Sequence, residues 1–136
     1  MAKKRILVVD DHAPTVALVR AILDAEKHTQ YEVVEAATGT ECLKAVDQKG
    51  PFDLILLDVN LPDMDGFSVC KALRNVEKGV PIVFVTALGD LRDFAAGREA
   101  GGDSYLVKPI SRNALRSIVS LLTNVERSGT RELSKT

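Results

Sequence analysis

The chain has 136 residues, of which 46% are apolar and 27% are charged, a balance typical of one globular domain with a sizeable core. Its formal net charge of -1 gives no reason to expect direct binding to nucleic acid or to an anionic membrane surface. Its apolar runs fall well short of the roughly 20 residues that span a bilayer. The apolar run after the basic start "MAKKR" ends in two acids, unlike a signal peptide. We therefore expect a cytoplasmic location.

Short apolar stretches typical of strands alternate with stretches whose apolar residues recur at helical spacing. In chain order, the pattern predicts a strand at 5–10, a helix at 13–27, a strand at 31–36, a helix at 38–49, a strand at 52–58, a helix at 65–77, a strand at 81–87, a helix at 90–102, a strand at 104–109 and a helix at 111–126. Pro14 suits the first turn of the first helix, and a residue between Thr38 and Thr40 is expected to cap the second. The fourth helix is weaker because Gly97 lies inside it.

The predicted elements lie within residues 1–126, which we assign to one domain. Residues 127–136 are polar and lack apolar periodicity, so we expect a C-terminal tail or the start of a linker there. Strands without polar alternation are typical of parallel sheets that are buried on both faces. The alternation of strands and helices therefore predicts an α/β fold, a doubly wound five-stranded parallel sheet between two helical layers, as in flavodoxin-like sandwiches.

The predicted strands carry charged and polar residues where they end. The first strand ends in Asp10 and Asp11, the third in Asp58, the fourth in Thr86 and the fifth in Lys108. In doubly wound sheets the functional site lies at the carboxyl ends of the strands, so these side chains are expected to share one crevice. Three carboxylates repel one another unless a cation joins them, and Mg²⁺ suits oxygen ligands beside a phosphate. A carboxylate can be the nucleophile that forms an aspartyl phosphate, with lysine and metal spreading the phosphoryl charge.

Four motifs follow one another at suitable separations: "ILVVDD", "LILLDVNLPDMDG", "PIVFVTA" and "AGGDSYLVKP". Together they resemble the receiver domain of two-component response regulators, over about Lys4 to Val125. The resemblance implies the strand order 2-1-3-4-5, which is one of the common orders of doubly wound sheets. It also implies a signalling domain, with self-directed phosphotransfer and autodephosphorylation, rather than an enzyme acting on other substrates.

The resemblance implies a role for each residue of the acidic crevice. Asp58 would accept a phosphoryl group from a histidine kinase or a histidine phosphotransfer protein. Asp11, Asp58 and the backbone carbonyl of Asn60 would bind Mg²⁺ directly, and Asp10 would act mostly through a metal-bound water. Lys108 would pair with Asp58 and later with the phosphoryl group.

The resemblance also implies a switch. Thr86 would hydrogen-bond a phosphoryl oxygen, and Tyr105 would be the aromatic residue that turns inward as Thr86 moves. The Lys108–Pro109 peptide bond would be cis. The switch would change a surface on the fourth and fifth helices that binds a downstream output protein or domain, with homodimerisation through the same helices as a further possibility.

Three alternatives stay open at the level of sequence. A haloacid-dehalogenase-like phosphohydrolase also uses an aspartate nucleophile, but it needs a second acid at the position of Asn60. A flavin-binding module needs a phosphate-binding loop after the first strand, where this chain has the acidic "DDHAPT". Receiver-like interaction domains that are never phosphorylated usually lack one of the acids or the lysine, whereas this chain has all of them.

Several reactive residue types have simpler interpretations. Cys42 and Cys70 are expected to be reduced, partly buried side chains, and no zinc-ligand spacing is present. His12 is expected in a solvated loop. Asp63 and Asp65 are expected to serve the turn and the N-terminus of the helix that follows, rather than the metal.

Overall fold

The computed structural model describes residues 3–87 and 91–124. Five strands alternate with five helices, as the sequence predicts: β1 (Lys4–Val9), α1 (Ala13–Asp24), β2 (Tyr31–Ala36), α2 (Gly39–Lys49), β3 (Leu54–Asp58), α3 (Gly66–Val76), β4 (Ile82–Thr86), α4 (Leu91–Ala100), β5 (Ser104–Val107) and α5 (Arg112–Asn124). The residues predicted as a tail, 127–136, lie outside the described part of the chain.

The five strands form one parallel sheet in the order β2-β1-β3-β4-β5. β1 lies between β2 and β3, so that Ile6 has Val33 on one side and Leu54 on the other. The predicted fold class is therefore confirmed. The order reverses between β1 and β3, and this places the carboxyl end of β1 directly beside that of β3.

The three inner strands are apolar on both faces, and successive residues supply different cores. On one face α1 and α5 cover the sheet, over a core that includes Ile6, Val8, Leu54, Leu56, Val83, Val85, Val19 and Leu115. On the other face lie α2, α3 and α4, over a core that includes Leu7, Val9, Ile55, Leu57, Ile82, Phe84, Cys70 and Ala100. Period-two alternation between two apolar layers explains why the sequence shows continuous apolar runs.

The two edge strands depart from the expectation that every strand is buried on both faces. In β2 only Ala36 is fully buried, and in β5 only Leu106 is. Two acids of β2 pair with neighbouring elements: Arg5 of β1 bonds Glu32 at 2.9 Å, and Arg20 of α1 bonds Glu35. Charged pairs of this kind protect an edge strand against pairing with another chain.

Both cysteines are free and completely buried, rather than partly buried as the sequence suggested. Burial raises the pKa of Cys42 to about 12, with a smaller contribution from Cys70 nearby. Burial likewise raises the pKa of Cys70 to about 11. Both side chains are therefore unreactive thiols in the core beneath α2 and α3.

The ends of several elements are fixed by specific bonds. Thr38 caps α2, as predicted, by accepting a hydrogen bond from the Glu41 amide. α1 ends at Asp24, three residues before the predicted end. The Lys108–Pro109 bond is cis, as the resemblance implies, and Gly50–Pro51 is also cis, which the sequence analysis did not predict.

Arg74, near the end of α3, ties together the chain segments at the amino ends of β4 and β5. Its guanidinium donates to the carbonyls of Val80 (2.7 Å) and Gly101 (2.9 Å) and to Asp103 (2.9 Å). The same Asp103 oxygen accepts the Ile82 amide at 2.9 Å. The C-terminal end of α4, which Gly101 terminates at a φ of 103°, is thus bonded to α3 at the edge of the sheet opposite the carboxyl ends.

Candidate functional site

Three carboxylates meet at the carboxyl ends of β1 and β3. Asp10 and Asp11 directly follow β1, and Asp58 is the last residue of β3. One oxygen of each side chain lies within 4.8 Å of the others. Asp10 and Asp58 are each only 5% exposed, whereas Asp11 is exposed. The sheet thus holds two acids in its interior and leaves one side of the cluster open to solvent.

Lys108 completes the cluster from the loop after β5. Its ammonium nitrogen lies 2.9 Å from Asp10 Oδ2 and 3.4 Å from Asp58 Oδ2. The lysine is held in place by its own amide, which donates to the Thr86 carbonyl at 2.7 Å. The ammonium therefore bridges two carboxylates, and its shorter bond is to Asp10 rather than to Asp58.

Burial and charge act together on Asp58. Burial raises the pKa of its carboxyl group, and the neighbouring charge of Asp10 raises it further. The Asn60 amide at 3.2 Å and the Lys108 ammonium act in the opposite direction without cancelling the increase. For Lys108, burial lowers the pKa, but the hydrogen bond to Asp10 and the charges of both acids outweigh it, so the pKa is raised.

The donor set fits a small divalent cation. Three carboxylates and one ammonium leave an excess of two formal negative charges, and every side chain that could bind a metal here offers oxygen. Oxygen ligands are the preference of Mg²⁺, which usually keeps several waters and so needs an open side. The exposed position of Asp11 provides that side. Asp10, Asp11 and Asp58 would hold such an ion.

The loop that follows Asp58 is fixed at its base. Asn60 and Asp65 form an isolated antiparallel bridge, and the Gly66 amide donates to the Val59 carbonyl at 2.7 Å. A Cβ atom on Gly66 would lie 2.4 Å from the Asp58 carbonyl oxygen, so only glycine allows the chain to return this closely. Asp65 caps α3 by accepting the Ser68 amide at 2.8 Å, as expected from sequence.

Asp63, at the tip of the same loop, bonds α2 rather than the helix that follows it, which is where the sequence predicts its role. One carboxylate oxygen accepts the Gly39 amide at 2.8 Å, and the other accepts the Thr40 amide at 3.0 Å and its hydroxyl at 2.8 Å. These bonds lower the pKa of Asp63, the Gly39 bond most. Asp63 therefore bonds the N-terminus of α2 rather than that of α3. No local pattern could have shown this, since the partners are more than 20 residues apart.

Thr86 lies at the carboxyl end of its strand, whereas Tyr105 lies near the start of its strand. Thr86 ends β4, is 4% exposed and follows Val85, the neighbour of Asp58 in the adjacent strand. Tyr105 is the second residue of β5 rather than its end, and it lies half-buried between Phe84 and Phe94, at centroid distances of 5.4 and 4.4 Å.

The hydroxyl end of Tyr105 lies against the backbone of α4. A Cβ atom on Gly97 would come within 2.0 Å of Tyr105 Oη and 2.7 Å of its Cζ. Gly97, which weakens the helix in a reading of the sequence alone, is thus the position at which α4 admits this aromatic ring.

A groove of about 600 Å³ adjoins the acidic cluster. It runs between the start of α1 and the loop after β5, and it is lined by His12, Pro14, Thr15, Leu18, Lys108, Pro109 and Ile110. Most of its lining is apolar, and Leu18 is 41% exposed. His12, expected in a loop, is the N-cap residue of α1, and its ring lies 2.7 Å from the Thr15 hydroxyl.

Comparison with known proteins places these features in a family. Residues 6–120 match the family described as the response regulator receiver domain. The chain is 44% identical over 126 residues to the transcriptional regulator ycf27 of Cyanophora paradoxa, and 40% identical over 119 residues to the alkaline phosphatase synthesis transcriptional regulatory protein PhoP of Bacillus subtilis. These alignments cover 91% and 88% of this chain but 50% and 48% of the relatives, so the chain spans about half the length of the curated relatives it matches.

A solved structure bears on the acidic cluster. The receiver domain of sensor histidine kinase PA1611 from Pseudomonas aeruginosa superposes with a TM-score of 0.81 at 29% identity, covering 91% of this chain and 100% of that one. That structure has a magnesium ion coordinated in its active site cleft.

Within the described residues of the present chain, no helix combines the length and apolarity needed to cross a membrane.

Proposed function

The chain belongs to the response regulator receiver family, and we propose that it accepts a phosphoryl group on Asp58 in a Mg²⁺-dependent reaction. The convergence of Asp10, Asp11, Asp58 and Lys108 carries this proposal. The donor is a phosphohistidine of a histidine kinase or of a histidine phosphotransfer protein, encountered in the cytoplasm. Asn60, an amide where a phosphohydrolase of the dehalogenase type needs an acid, argues against that enzyme class.

In the reaction, a carboxylate oxygen of Asp58 attacks the phosphorus atom of the donor. A P–O bond forms while the P–N bond breaks, and the leaving imidazole nitrogen keeps the electron pair and takes a proton from water. Lys108, already 3.4 Å from Asp58, balances charge on the phosphoryl oxygens. A bound Mg²⁺, held by Asp11, Asp58 and the Asn60 carbonyl, with Asp10 acting through a water, would supply further charge neutralisation.

The groove beside the cluster is suited to the donor protein. It offers an apolar surface next to Lys108, with Leu18 partly exposed at its rim. A helix that carries the phosphohistidine can dock its apolar side there while its imidazole faces Asp58. We assign donor binding to this groove.

The output follows from the position of Thr86 and Tyr105. Thr86 would bind a phosphoryl oxygen, and the resulting shift would change the packing of Tyr105 against α4. The altered face of α4 and α5 would then bind an output protein or domain, or a second copy of the chain. Relatives of about twice the length carry names of transcriptional regulators, which supports an output of that kind in a longer protein.

The proposal is tested by incubating the protein with acetyl phosphate, with and without Mg²⁺, and measuring intact mass. We expect one hydroxylamine-labile phosphoryl adduct that requires Mg²⁺. The adduct should disappear in Asp58→Ala and persist in Asp24→Ala, the same substitution at an exposed acid at the end of α1. Wild-type labelling of Asp58→Ala would refute the assignment.

A further inference from the structure

The N-terminus of α2 is unusually well supplied with acceptors. Thr38 and Glu41 satisfy amides of their own segment, since Glu41 accepts from Ala37 while Thr38 accepts from Glu41. The next two amides, of Gly39 and Thr40, are taken by Asp63 from a different part of the chain. A carboxylate at this position is favoured by the partial positive charge of a helix N-terminus.

The same loop makes a second contact with α2. A Cβ atom on Gly39 would lie 2.7 Å from the sulfur of Met64, so Met64 packs directly on the first turn of the helix. Met64 and Asp63 are neighbours, and the loop tip is therefore fixed to α2 by the three hydrogen bonds of Asp63 and by the apolar contact of Met64. Asp63 and Met64 lie between Asn60 and Asp65, the two residues whose bridge closes the base of the loop.

Asn60 links the loop to the acidic cluster. The backbone N–H of Asn60 donates to Asp58 Oδ1 at 3.2 Å. The position of the loop and the orientation of the Asp58 carboxylate therefore depend on each other. Asp58 is buried and Asn60 is exposed, so Asn60 belongs to the open side of the site.

We propose that Asp63 is a positioning residue for the cation site, which holds the loop so that Asn60 and Asp58 keep the geometry that the cation requires. The inference rests on the proposed function, because it concerns the same cation. It adds a distant element, since the N-terminus of α2 becomes part of the support of the site. Groups that orient metal ligands commonly affect affinity by on the order of tenfold or more.

The test is a Mg²⁺ titration of the full chain, followed by NMR through the amide shifts of Asp58 and Asn60. We expect Asp63→Ala to weaken Mg²⁺ binding on the order of tenfold, and Asp63→Asn, which keeps one acceptor oxygen, to weaken it less. Thr38→Ala is the matched control, because it removes a cap from the same helix end without touching the loop. Its Mg²⁺ affinity should stay within about twofold of wild type, against the tenfold change.

A second readout separates positioning from general loosening. Mg²⁺ should slow hydrogen exchange at the Gly39 and Thr40 amides in wild type, and it should not do so in Asp63→Ala, which removes both acceptor oxygens. Equal Mg²⁺ affinity in wild type and in both Asp63 variants would overturn the inference while leaving the proposed function intact. An equal loss in Thr38→Ala would also overturn it. A wild type that binds no Mg²⁺ would remove the proposed function as well.

Discussion

Asp58 carries its carboxylate into a part of the protein where water is scarce and where a second acid, Asp10, is close. Lys108 bridges both acids, yet burial and the charge of Asp10 still raise the pKa of Asp58. The metal-free site therefore stores unfavourable electrostatic energy that a cation or a phosphoryl group with its cation can relieve.

Removing that charge should stabilise the metal-free protein. We expect Asp58→Asn to raise the free energy of unfolding in EDTA by about 1–2 kcal/mol, because the amide nearly keeps the shape and removes the repulsion. Mg²⁺ should stabilise wild type in a concentration-dependent manner and the variant much less. Urea melts in EDTA and in Mg²⁺ measure both effects, and a variant less stable than wild type in EDTA would contradict the idea of a strained site.

The stability that the protein gains from Asp58→Asn should increase with pH. Because the pKa of Asp58 is raised in the folded state, protonation of Asp58 stabilises the folded protein. This contribution is fully present below the ordinary pKa of 3.8 and is lost as the pH rises through the raised pKa. Wild type and Asp58→Asn should thus differ least near pH 4 and diverge as pH increases. Melts of both proteins across this window, without metal, check the trend. A difference in the free energy of unfolding between the two proteins that becomes smaller as the pH rises would contradict this prediction.

At the scale of residues, the acidic cluster could be predicted because parallel strands bring their ends together whatever the side chains do in detail. Asp10, Asp11, Asp58 and Lys108 follow from the strand ends alone. The bond of Asp63 to α2 could not be predicted, because it depends on the path of a loop between distant segments. The functional roles of these residues remain predictions.

At the scale of elements, the contact between β5 and α4 changes the expected effect of replacing Gly97 on stability. In an ordinary helix interior, glycine to alanine stabilises by about 1 kcal/mol. Here the new Cβ would meet Tyr105 Oη at 2.0 Å. Because Gly97 is buried and the half-buried ring of Tyr105 is packed between Phe84 and Phe94, the clash should outweigh the gain in helix propensity.

We therefore expect Gly97→Ala to lower the free energy of unfolding, by about 1–3 kcal/mol. In a Tyr105→Ala background the same substitution should be far less harmful, since the ring has gone and the helix propensity of alanine remains. The double-mutant cycle, measured by urea unfolding, isolates the coupling. Additive effects would mean that Gly97 is required for another reason, such as its 3.0 Å approach to Phe84.

The elements themselves were predictable in type and order because buried parallel strands and amphipathic helices have distinct apolar periods. Their ends were less so. α1 stops at Asp24, although the polar residues up to 27 are compatible with helix. The partial exposure of β2 and β5 follows from their edge positions, and edge position is a property of the sheet rather than of either strand.

At the scale of the whole molecule, phosphorylation should be felt along β4 and β5 and on the helices beside them. Thr86 and Lys108 are joined by a backbone bond between those strands, and Tyr105 connects β5 to α4. Amide exchange of the Mg²⁺-loaded protein, with and without beryllofluoride as a phosphoryl mimic, tests this. We expect changes in β4, α4 and β5. Changes confined to α1 and α2 would be inconsistent with the proposed route.

The bonds around Arg74 hold the C-terminal end of α4, so a tilt of this helix would have its pivot there. Arg74 holds the Gly101 carbonyl just beyond the helix, and the Cys70 thiol lies 3.3 Å from the Ala100 carbonyl. With 10 residues the helix is about 15 Å long, so a tilt of about 10° about this pivot would carry its first turn through about 2–3 Å. Gly97, three residues from the pivot, would move by only about 0.8 Å. The same rotation would therefore be a large displacement beside the carboxyl ends of the strands and a sub-ångström adjustment against Tyr105. The ratio of the two displacements is set by the position of Gly97 along α4.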